Sequence, residues 1–65
     1  MNKTKMTKQE FINALATLLK HTYSEIPYAV VEDAVNYILS GNKPTGIISM
    51  FVKDNLKKVE LIKEN

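Results

Sequence analysis

The apolar positions of this chain fall into three blocks with helical spacing, separated by two proline-containing breaks, the second of which also carries Gly and Asn. In the first block Phe11, Leu15, Leu18, Leu19 and Thr22 recur at i, i+4, i+7, i+8 and i+11, and Ile12 widens the face. That period predicts an amphipathic helix over residues 8–22. Its start is marked twice. Thr7 followed by Glu10 forms a capping box, in which the Thr hydroxyl accepts from the residue-10 N–H and the Glu carboxylate accepts from the residue-7 N–H. Met6 and Phe11 occupy the N′ and N4 positions of a hydrophobic staple.

The stretch Tyr23-Ser24-Glu25-Ile26-Pro27 breaks the pattern. Proline is tolerated in a first helical turn, and Ser24 is a suitable N-cap with Glu25 beside the positive end of the helix dipole. A second helix is therefore expected from Glu25 or Pro27 to Ser40. Its apolar positions, Ile26, Val30, Val31, Ala34, Val35, Ile38 and Leu39, make a wide stripe for a short helix, as a central helix touching two neighbours requires. Gly41 is the expected left-handed residue that ends it. Asn42-Lys43-Pro44-Thr45-Gly46 follows as a turn.

The third block is ambiguous. Ile47-Ile48-Ser49-Met50-Phe51-Val52 is rich in β-branched residues and suits a strand. Ile48, Val52, Asn55, Leu56 and Val59 nevertheless keep helical spacing, Thr45 can cap, and Lys57 and Lys58 suit a helix C-terminus. A third helix from Thr45 to Lys58 is the reading adopted, with Val59–Ile62 as a last turn or an extended tail. The competing reading is two helices plus a C-terminal β-hairpin turning at Lys53-Asp54-Asn55. Residues 1–6 and 63–65 are polar and expected to fray. The expected fold is all-α, a single domain over residues 1–65 built as a three-helix bundle or orthogonal helical array.

The chain has 65 residues, which supports one small core. Small domains need a supplement such as a disulfide, a metal, a partner or very good packing. With no cysteine and one histidine, His21, the first two are set aside and no cofactor is expected. His21 near the end of the first helix suits the helix dipole. No apolar run approaches membrane-spanning length, and no apolar segment follows the basic Met1–Lys5 start, so the cytoplasm is expected. Seven acids and the absence of tryptophan argue against a membrane-active peptide.

An enzyme is not expected. Glu32 and Asp33 are adjacent and point about 100° apart on a helix, so they cannot serve one reacting atom as acid and base. The Gly41–Gly46 loop contains Lys43 and Thr45 but not the order of a phosphate-binding loop. No small-molecule substrate follows from either. What stands out is amphipathic surface. Tyr23, Tyr28 and Tyr37 cluster around the second helix, and tyrosine is favoured at interfaces. Met50 and Phe51 are adjacent, so one of them faces away from the core. These five residues are the candidates for a protein interface.

Charge offers the alternative. The net charge of +2 comes from nine lysines and no arginine against seven acids. Lys3, Lys5 and Lys8 with Lys53, Lys57 and Lys58 form one basic surface if the first and third helices adjoin, and such a surface meets nucleic-acid phosphates. The lack of arginine weakens sequence-specific readout. Residues 21–42 carry only acids, Glu25, Glu32 and Asp33, which also makes antiparallel pairing of two copies reasonable. The leading expectation is a non-catalytic protein-binding module acting as regulator, inhibitor or assembly factor, with a second copy among the partners that fit (a homodimer), and with nucleic-acid binding as the alternative.

Overall fold

The computed structural model describes residues 3–23 and 25–63. Three helices form as the spacing predicts: α1 (Lys8–Thr22), α2 (Tyr28–Leu39) and α3 (Ile47–Leu56). The chain is not purely α-helical, however. Strand β1 (Thr4–Thr7) pairs in parallel with strand β2 (Val59–Ile62), in the register Thr4 to Val59 through Thr7 to Ile62. A parallel pair needs a long crossover. Here the three helices together supply it, and the two ends of the fold meet in one small sheet.

This sheet corrects two expectations. Thr4, Lys5 and Met6 are ordered strand residues rather than a frayed lead-in, and Val59–Ile62 is a strand rather than a helical turn. Residues 1, 2, 64 and 65 of the two expected frayed ends lie outside the described residues, and Lys63 is exposed and irregular. The C-terminal hairpin is also overturned, because 47–56 is helical and β2 finds its partner at the other end of the chain. The physical reason is a two-residue period in β2, paired with an inward Met6 in β1. Met6, Val59 and Leu61 pack inward on the core, while Lys5, Glu60 and Ile62 face out.

The α1 start behaves as expected. Thr7 N–H donates to Glu10 Oε1 at 2.9 Å, and Glu10 N–H donates to Thr7 Oγ1 at 3.1 Å. Thr7 thus closes β1 and caps α1 at once. The other two starts differ from expectation. α2 begins after Pro27, which stands at the N-cap without a side-chain bond, and Ser24 lies outside the described residues. α3 begins after Gly46 rather than at Thr45, and it ends at Leu56 rather than Lys58. Gly41 takes φ +92°, the left-handed conformation expected after α2.

The core gathers Phe11, Ile12, Leu15 and Leu19 from α1, Val31, Val35 and Ile38 from α2, and Val52 from α3. α2 packs on both other helices. The burial pattern refines the expected faces. Leu18 remains 48% exposed, while Ile12 is fully enclosed, so the α1 stripe is rotated toward Ile12. Val30, Leu39 and Ile47 are also exposed. Among the described residues no helix is long and apolar enough to cross a membrane.

Candidate functional site

α2 carries two apolar faces. Val31, Val35 and Ile38 form the buried one. About 100° around the helix, Val30, Ala34 and Tyr37 follow one another at i, i+4 and i+7, and Ile26, just before the Pro27 N-cap, lies beside them in the same lining. This second face forms one wall of an open groove of about 640 Å³. The opposite wall is the α2–α3 loop and the first turn of α3, ending in Ile47 and Ile48. Tyr23 also lines it, and among the described residues Asp33 is the only charged one in the lining.

The loop wall is held by Ser49, which is 7% exposed. Its hydroxyl accepts from the N–H groups of Thr45 at 2.9 Å and Gly46 at 3.0 Å, and lies 3.1 Å from the Gly46 carbonyl, to which it donates. One side chain thereby satisfies orphan donors at the α3 N-terminus and fixes the path of the wall. Ser49 spends its hydroxyl on structure. The groove itself offers apolar walls, tyrosine hydroxyls and one carboxylate, which is chemistry for receiving an amphipathic surface.

The five interface candidates separate. Tyr23 and Tyr37 line the groove. Tyr28 sits on another side of α2, where Gln9 Nε2 of α1 donates to its hydroxyl. Met50 is 56% exposed on the outer side of α3. Phe51 is half-buried against the core. Three residues of consequence were not among the candidates: Val30, Asp33 and Ile47, the last 66% exposed. The legible signal for Val30 was the excess of apolar positions on α2 over what one core contact uses. Ile47 carried no such signal, since its position in a helical block looked like core.

The lysine candidates are also distributed. Lys3 and Lys58 each stand one residue before the Thr4–Val59 pair in sequence. Lys5 stands opposite Glu60. Lys8 Nζ donates to Asn36 Oδ1 at 3.0 Å and so ties α1 to α2. Lys53 and Lys57 border a hollow beside Ile38 and Leu56. The β1–β2 pairing therefore brings the N-terminal and C-terminal lysines near each other at one point, with Glu60 among them and Lys8 turned to α2.

No family model, curated protein or solved structure matches the chain.

Proposed function

We propose that this protein is a non-catalytic, cytoplasmic binding module that acts as a regulator, inhibitor or assembly factor by receiving a protein surface in the α2–α3 groove. The carrying observation is the groove itself, where Val30 and Tyr37 of α2 and Ile47 of α3 stand exposed beside Ala34, Ile26 and Ile48, which also pack on the core. Exposed apolar surface gathered in one concave place marks partner sites on small proteins. Tyr23 and Tyr37 supply rigid amphipathic anchors of the type that dominates binding energy.

The test is capture of partners from nuclease-treated extract of the source cells by the tagged protein, alongside Val30→Glu and Ile47→Glu. Both positions are exposed, so the fold is retained and circular dichroism verifies it. The expected result is proteins that survive nuclease and disappear with either variant. Proteins retained equally by both variants would refute the groove. Material lost on nuclease treatment, and lost with Lys3→Glu and Lys58→Glu, would replace it with phosphate binding by the lysines.

A further inference from the structure

We infer that the occupant of the groove is a second copy of this chain, inserted through the outer face of α3; the inference rests on the groove being a protein-binding surface. On α3 the residues Ile47, Met50, Asp54 and Lys57 recur at i, i+3, i+7 and i+10 and form one exposed ridge, with Lys53 beside it. The ridge is apolar in its first turn and basic toward its end, where Lys53 and Lys57 outnumber Asp54. The groove has the complementary character. Its walls are apolar, Asp33 is the sole charge in its lining among the described residues, and residues 21–42 of the chain contain acids but no lysine.

Ridge and groove are neighbours on one molecule, and Ile47 belongs to both. A two-fold axis near Ile47 therefore places each copy's ridge in the other's groove, using the same patch twice, as closed dimers do. Met50 then fills the apolar cleft against Val30 and Tyr37, and Lys53 and Lys57 reach Asp33 of the other copy. A standard interface needs about 800 Å² per copy. That is about one sixth of the 4878 Å² surface of the chain. Association also serves a chain in which eight apolar side chains are buried among the described residues.

The charge arrangement gives a test by exchange. Asp33→Lys sets lysine against lysine twice in a homodimer, and Lys53→Asp with Lys57→Asp sets acid against acid twice. Mixing the two proteins restores opposite charges at both contacts. Sedimentation equilibrium of the untagged full chain should give twice the chain mass. Each charge variant alone should dissociate about tenfold more readily or worse, since facing like charges are strongly unfavourable. The equimolar mixture should recover the wild-type dimer. All three positions are exposed, and the mixture reports on folding as well, because a misfolded chain would not be rescued.

A wild-type chain that stays at monomer mass at all concentrations overturns the inference without touching the groove reading, which the Val30→Glu capture decides separately. A dimer indifferent to the charge variants also overturns it, since its interface lies elsewhere. A monomer that takes up a different protein through the groove overturns it in favour of that occupant.

Discussion

Replacing Ser49 with alanine tests how the groove wall is held. The Ser49 hydroxyl receives two backbone N–H groups, from Thr45 and Gly46, and returns one bond to the Gly46 carbonyl. Ser49→Ala removes the acceptor and leaves both donors to find another. An unsatisfied buried donor costs about 1–3 kcal/mol. Thr45 and Gly46 are exposed residues, so water can reach part of this site and the lower end of that range applies to each. Removing a nearly buried hydroxyl also recovers its desolvation. The net expectation is a loss of about 1–2 kcal/mol. In a domain of this size that corresponds to a fall in Tm of about 4–15 °C. Thermal denaturation followed by circular dichroism measures the loss. Amide exchange locates it, with the Thr45 and Gly46 amides losing protection before those of α1. An unchanged Tm with unchanged protection at both amides would refute the claim that Ser49 secures the wall. A loss of protection spread evenly over α1 and α2 would mean that the serine contributes to global packing instead.

Other substitutions probe the remaining devices. Thr7→Ala removes the α1 cap and should cost about 1 kcal/mol, read as a lower urea midpoint at constant m-value. Gly41→Ala meets no neighbouring atom within 4 Å, so its cost is the backbone strain of φ +92° alone, about 1 kcal/mol by equilibrium unfolding. Leu19→Ala opens a cavity at a fully enclosed position. It should cost about 2–5 kcal/mol, enough to leave much of so small a domain unfolded by circular dichroism at ambient temperature. Leu61→Asp places a charge on the inward face of β2, against the core. It should destabilise the fold and abolish amide protection in β1 as well as β2, whereas a freely extended tail would leave β1 untouched.

The devices legible in the sequence are those that operate within a few residues. Thr7 and Glu10 satisfy each other across one turn, and Gly41 takes the conformation that only glycine adopts cheaply. The α1 boundaries and the existence of α2 and α3 follow from such local chemistry and from periodicity. The wide stripe of α2 also announced two contacts for that helix, of which the second proved to be shared between α3 and open solvent. Tyr23 and Tyr37, which line the groove, stood out in the sequence because their amphipathic character is intrinsic.

Tertiary structure decided the rest. The two-residue alternation in Val59–Ile62 is too short to specify a strand alone, because an isolated four-residue segment cannot satisfy its backbone. It becomes one only when Thr4 meets Val59 across the whole chain, a closure that no local window contains. Which apolar residues are enclosed was likewise settled by helix placement. A rotation of α1 by a fraction of a turn exchanges Leu18 for Ile12, and the position of α3 leaves Ile47 uncovered. The groove exists for the same reason. Its walls come from segments that touch only once α2 and α3 have packed, so Tyr23 and Tyr37 were visible beforehand and their assembly with Val30, Asp33 and Ile47 around one groove was not.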